Sequence, residues 1–156
     1  MTPRGFTLIE MLVTLAILAA LASVALPLAQ MAAERQREQE LKRDLWQIRD
    51  AIDDYKKASD EGKIEKSASD SGYPPTLDVL VNGVTDKSSP QGQKLYFLRR
   101  IPRDPLCDCP SKSDAQTWGK RSYASPPEAP AEGDDVYDVY SLAQGNGQNG
   151  VPFRQW

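Results

Sequence analysis

The chain reads as an α+β protein: one long N-terminal helix, transmembrane in its first half and amphipathic in its second, packed on a small antiparallel β-sheet in a lollipop arrangement. Three observations predict this. From Met11 to Ala29 the run "MLVTLAILAALASVALPLA" carries no charge and has about the ~20 residues that a bilayer-spanning helix needs. Beyond it, Leu41, Leu45, Ile48, Ile52 and Tyr55 alternate spacings of four and three, the repeat of a single apolar seam on a helix. From Glu61 onward Gly, Pro, Ser and Asp rise and apolar residues shrink to short runs, of which "DVYDVYSLA", β-branched and aromatic, is the best strand.

Length and composition bound the function. At 156 residues the chain is one modest domain plus its ends. Its 19 basic and 22 acidic residues leave no polycation for gripping nucleic acid. There is no His, and Cys107 and Cys109 are the two thiols. Ser-His-Asp and Cys-His catalysis are excluded, as are zinc sites built from His and Cys. No catalytic constellation and no nucleotide-binding loop stand out, so the reading is not that of an enzyme.

The first element crosses a membrane. A cleaved secretory signal would carry a basic region, a shorter apolar core and a small-residue cleavage site beyond it. Here "MTPRG" holds one Arg and the processing mark precedes the apolar run. A buried core helix is the other rival, and this segment's all-round apolarity is better solvated by lipid or by other copies of itself.

"RGFTLIEMLVTLAILAALA" resembles the class III signal of type IV pilins and type II secretion pseudopilins, in which a short leader ends in Gly, Phe usually follows, and Glu comes four positions later. Gly5, Phe6 and Glu10 fit. The resemblance implies that residues 1–5 are a leader, that a prepilin peptidase cuts between Gly5 and Phe6 on the cytoplasmic side, and that the new amine of Phe6 is methylated. Residues 6–30 are then the transmembrane and polymerisation half of the helix, residues 31–60 its periplasmic half, and residues 61–156 the globular C-terminal domain.

Glu10 is the one acid in this apolar region. A carboxylate near a bilayer interior costs about 2.5–3.5 kcal/mol on insertion scales and persists when something pairs with it. The resemblance implies a partner: the freed amine of Phe6 on a neighbouring subunit of a helical polymer. The alternative leaves Glu10 wet in the headgroup zone.

The helix continues past the span. From Phe6 to about Ser59 it would be on the order of 75–80 Å long at 1.5 Å per residue, with Gly62 as its stop. The seam packs on the following domain; a free coiled coil, the other reading, is weakened by polar Glu34 and Glu38 upstream. Pro27 removes a backbone bond and kinks the helix. Pilins and pseudopilins commonly have a proline near this place, and the resemblance implies a stretch before it, Val13 to Leu26, that can unwind in the assembled filament.

After the helix, "SASDSGYPPT" is a turn-rich connection and Thr76 can cap a short helix "LDVLV". "KLYFL" and "RSYAS" are short-strand candidates, joined to "DVYDVYSLA" by proline-rich loops.

The distal half narrows the resemblance. "IPRDP", "WGKRSY", "DDVYDVYSL" and "NGVPFRQW" resemble, in that order, the corresponding segments of G-type pseudopilins, the major subunits of the type II secretion pseudopilus. Pro102, Asp104, Pro105, Trp118, Gly119, Tyr137, Asp138, Tyr140, Ser141, Leu142 and Trp156 carry the match. G-type pseudopilins commonly bind calcium after the last strand through aspartates and carbonyls. The corresponding "AQGNGQNGVPFRQW" has no Asp or Glu, so the acidic ligands that a hard cation requires are unmatched. The expectation is no metal and no cofactor, with a glycine-rich loop held by backbone bonds and Trp156.

Three local features have competing readings. Cys107 and Cys109 form a tight disulfide, pair between molecules, stay free or, least of all, hold a metal; their spacing closes too short a loop to add much stability. "LYFLRRIPR" mixes aromatics with Arg99, Arg100 and Arg103 as single-strand nucleic-acid surfaces do, and equally as a solvated edge facing an acidic neighbour. "RDAIDDYKK" is a solvated face or a set of charges that pair between subunits.

The function that the resemblance implies is mechanical. Processed subunits leave the inner membrane, single-pass with the C-terminal domain in the periplasm, and polymerise into a helical pseudopilus that drives protein export. Its expected partners are other copies of itself, minor pseudopilins, prepilin peptidase, and an inner-membrane assembly platform with a separate ATPase. The alternatives are a major or minor type IV pilin serving adhesion, motility or DNA uptake, and a membrane-anchored periplasmic binding domain that never polymerises.

Overall fold

The computed structural model describes residues 5–67 and 69–156. Apart from Gly5, the expected leader lies outside the described residues. The chain divides into two compact units, one ending at Arg37 and the other running from Glu38 to Trp156.

Helix α1 spans Leu8–Asp60. Its portion in the first unit is long and apolar enough to cross a membrane, and none of its apolar stretch is buried. Thr14 donates its hydroxyl to Met11 O at 2.9 Å and Ser23 to Ala20 O at 2.7 Å. The two polar side chains of this stretch are therefore satisfied within the helix, which a lipid surrounding demands. Helical structure runs through Pro27, and Val13 to Leu26 is helical in the subunit.

In the second unit the seam behaves as its period requires. Leu41, Leu45, Ile48, Ile52 and Tyr55 are all buried. They form one core with Leu77 and Leu80 of helix α2 (Leu77–Asn82), Leu98, Ile101, Trp118, Val136 and Val139. α1 ends at Gly62 as the sequence indicates: Gly62 N–H donates to Ser59 O and Lys63 N–H to Ala58 O, both at 3.0 Å, with Gly62 at φ +76°. This is the paired bonding of a Schellman end, and the left-handed φ is what glycine supplies.

The β-structure is smaller than expected and split. Strands β1 (Val84–Thr85) and β2 (Lys94–Leu95) form one antiparallel pair, and β3 (Trp118–Arg121) and β4 (Asp138–Ser141) another, in the register Trp118↔Ser141 to Arg121↔Asp138. "KLYFL" yields two strand residues because the Phe97 and Leu98 N–H groups both bond to Leu80 O, turning the chain toward α2. "RSYAS" is corrected: the strand ends on its first residue, Arg121, and from Ser122 the backbone bonds to Ala131 and then turns, with Ser125 N–H on Ser122 O. Thr76 precedes α2 in extended conformation but makes no side-chain cap bond.

Candidate assembly site

The start of α1 holds the residues singled out for processing and assembly. Gly5 and Phe6 precede the helix, and Phe6 is 85% exposed. The helix begins at Leu8 rather than Phe6, because "TLIE" is a capping box. Thr7 takes the cap position, the Glu10 N–H donates to Thr7 Oγ1 at 3.3 Å, and the Thr7 N–H donates back to Glu10 Oε2 at 3.4 Å. Reciprocal bonding of this kind satisfies two of the donors that a helix start leaves open. Both contacts are long for hydrogen bonds, so the Glu10 carboxylate is held loosely. A carboxylate in the first turn also lies at the positive end of the helix dipole. In the lone subunit Glu10 therefore has a partner of its own, while staying exposed on an apolar surface. The Thr-x-x-Glu spacing carries this signal in the sequence, and the expectation of an intersubunit partner overlooked it.

Further along, Pro27 cannot donate a backbone bond to Ser23 O, one turn earlier. The helix bridges that loss without interruption. α1 thus lacks one backbone bond at the place that the sequence marks.

In the second unit the short distal motifs are parts of one structure. Trp118, 1% exposed, donates its indole N–H to Pro102 O at 2.8 Å. Asp104, equally buried, accepts from Ser141 Oγ at 2.6 Å and from the Leu106 N–H at 2.8 Å, while its own N–H bonds to Thr117 Oγ1. Gly119 pairs with Tyr140, and a Cβ there would sit 2.3 Å from the tyrosine ring. "IPRDP", "WG" and "YSL" are therefore mutual packing partners, and the glycine is required for close approach inside a strand rather than for a turn.

The segment after β4 is held by its own contacts and by side chains of α1. Gly147 N–H bonds to Val151 O at 2.9 Å, the Trp156 indole donates to the same oxygen at 3.1 Å, and Phe153 packs edge-on against Trp156. Arg49 of α1 reaches across: its Nε donates to Asp138 Oδ1 at 2.7 Å, and its Nη2 to Val139 O at 3.0 Å and Trp156 O at 2.6 Å. Lys42 lies 4.5 Å over the Trp156 ring. These residues do not fit calcium. The loop offers no carboxylate of its own; Glu38 of α1, which accepts the Gln148 N–H at 2.9 Å, is a single carboxylate at its edge, and Asp138 is already engaged by Arg49. Among the described residues no group of three or more His, Cys, Asp or Glu gathers.

Cys107 and Cys109 are joined within the chain, their Cα atoms 5.3 Å apart. Arg103 donates to the carbonyls of Cys109 and, at 2.9 Å, Lys112, so it braces this small loop. Arg99 and Arg100 remain exposed. The sequence reading missed Arg49, whose role has no local signature; it depends on a strand end some ninety residues away.

The N-terminal segment, residues 2–26, matches the family model for the prokaryotic N-terminal methylation motif. Three curated relatives are each named type II secretion system core protein G. Those of Klebsiella michiganensis and Klebsiella pneumoniae are 30% and 32% identical over 106 residues, which is 65% of this chain and 67% and 68% of the relatives. That of Aeromonas hydrophila is 31% identical over 105 residues, 65% of this chain and 66% of the relative. No solved structure matches the chain.

Proposed function

Since the chain belongs to the pilin and pseudopilin family, whose members are structural subunits rather than enzymes, and is a distant relative of type II secretion core protein G, we propose that it is a subunit of a helical periplasmic pseudopilus that serves protein export. Prepilin peptidase cuts between Gly5 and Phe6 and the Phe6 amine is methylated. The processed chain waits in the inner membrane with its second unit in the periplasm. An assembly platform with a separate ATPase, together with minor pseudopilins, draws it into the filament.

The observation that carries this reading is the exposed apolar start of α1 with a single, loosely capped carboxylate. An apolar surface of this length has two good solvents, lipid and other copies of itself, and Glu10 distinguishes them. Within the subunit, among the described residues, Glu10 is supported by its cap with Thr7. In a polymer the amine of a neighbour's Phe6 can replace that weak cap with a charged partner, and an axial offset that misses it leaves a carboxylate unpaired. Glu10 thus favours one offset over others.

The test is removal of the gene from its host. Export-dependent enzymes should accumulate in the periplasm while surface pili and motility persist. Loss of surface pili with normal export would instead assign the chain to a type IV pilus.

A further inference from the structure

The Cys107–Cys109 disulfide has no part in the reading above. It closes a loop with one residue between the two cysteines, so it contributes little as a staple. Other bonds hold the same turn. The Cys107 N–H donates to Asp104 O and the Lys112 N–H to Cys109 O, both at 3.1 Å. The Asp104 side chain accepts the Leu106 N–H and is itself fixed by Ser141 of β4. Arg103 donates to the carbonyls of Cys109 and Lys112. Residues 103–112 therefore keep their course whether or not the sulfurs are joined. Both cysteines are also partly exposed, with exposed Asp108 between them, and exposed disulfides are the exchangeable ones.

The two sulfurs are not equivalent. Arg103 Nη2 lies 3.7 Å from Cys109 Sγ, while among the described residues Cys107 Sγ has no such cation. Asp114 accepts from Nη1 of the same guanidinium at 3.3 Å, which leaves Nη2 on the side of the sulfur. A guanidinium beside a sulfur favours its thiolate, and the sulfur that better bears negative charge leaves faster.

We propose that Cys107 and Cys109 form a thiol–disulfide exchange site that takes a dithiol as its reductant, with Cys107 the sulfur attacked and Cys109 the leaving group. A thiolate of the dithiol attacks Cys107 Sγ and forms a mixed disulfide. The Cys107–Cys109 bond breaks, and its electron pair goes to Cys109 Sγ, where Arg103 offsets the charge. The second thiol of the dithiol, as its thiolate, then attacks the sulfur joined to Cys107 and expels the Cys107 thiolate. The two protons lost by the dithiol end on the two cysteines. Two electrons have passed: the dithiol is oxidised to a disulfide and the protein pair is reduced to two thiols. The turn's own bonds keep those thiols together, so the reverse reaction with a disulfide restores the pair.

The experiment uses the detergent-solubilised full-length chain without denaturant. Dithiothreitol at neutral pH should reduce the pair and leave the melting temperature almost unchanged. A short pulse of glutathione, quenched with excess iodoacetamide, should place glutathione on Cys107 and the alkyl group on Cys109 in tandem mass spectra. Arg103→Met should slow the reduction about threefold or more, as expected when a leaving thiolate loses its cation. Because Arg103 also braces the turn, a second measurement leaves it in place. Cys109 in the Cys107→Ser chain should be alkylated several-fold faster at neutral pH than Cys107 in the Cys109→Ser chain. Reduction that requires denaturant, or that lowers the melting temperature by many degrees, would make the bond a staple and overturn the proposal. Glutathione on Cys109 or equally on both sulfurs, or equal alkylation of the two single cysteines, would overturn the assigned roles.

Discussion

Arg49 Nε donates to Asp138 Oδ1 across 2.7 Å, and the same guanidinium holds Val139 O and Trp156 O. One side chain of α1 thereby ties down both the start of β4 and the last residue of the chain. The pair is about a third exposed, so solvent screening reduces its worth. Three bonds from one charged donor still exceed a typical surface pair. Arg49→Met should destabilise the second unit by about 2 kcal/mol, and Arg49→Lys should recover only part, since an ammonium lacks the planar fork. Urea melts of the detergent-solubilised chain measure both.

Calcium should leave the melting temperature almost unchanged. A ligand stabilises a fold in proportion to how far its concentration exceeds its dissociation constant, and the loop after β4 offers too little negative charge for tight binding. Parallel thermal melts in millimolar calcium and in chelator should coincide. A rise of many degrees with calcium would mean that a site forms from carboxylates outside this loop.

Asp44 is buried on α1, and its carboxyl is pushed above its ordinary range by desolvation first and by the neighbouring Glu40 second. A carboxyl raised in the folded state opposes folding above its folded pKa, and that penalty fades as pH falls through it. Asp44→Asn should therefore stabilise the chain at neutral pH, and the gain should shrink as the solution is acidified toward the ordinary carboxylate range. Paired melts across that pH range give the sign directly.

The sequence was most legible where a periodic signal coincided with burial. The Leu41 to Tyr55 seam and the Gly62 stop are read correctly because spacing and a φ requirement are local properties. The strands were harder, since β2 ends where Leu80 O captures the next two amides, and β3 contains a glycine whose purpose is to admit the Tyr140 ring. Neither cause is visible before the chain is folded. Of the candidate site, Gly5, Phe6, Glu10 and Pro27 were all named from the sequence. What went unread was local for Glu10, whose capping box with Thr7 was in plain spacing, and long-range for Arg49.

Gly5 should tolerate no side chain. A peptidase cleft that admits glycine at the cut has no room for a branched residue, so Gly5→Val should leave the full-length precursor in the membrane. An immunoblot that separates precursor from mature chain reads the outcome, and normal processing of the variant would contradict the assignment of the cut.

The central claim, that Glu10 serves assembly rather than processing, is tested by Glu10→Ala in the full-length chain. Mass spectrometry of the membrane-extracted protein should find a mature N-terminus at Phe6 carrying one methyl group, in the wild type and the variant alike. Cross-linking of the same membranes should find polymer in the wild type and little or none in the variant. A variant that polymerises as well as the wild type, or a mature chain that starts anywhere except Phe6, would contradict the account.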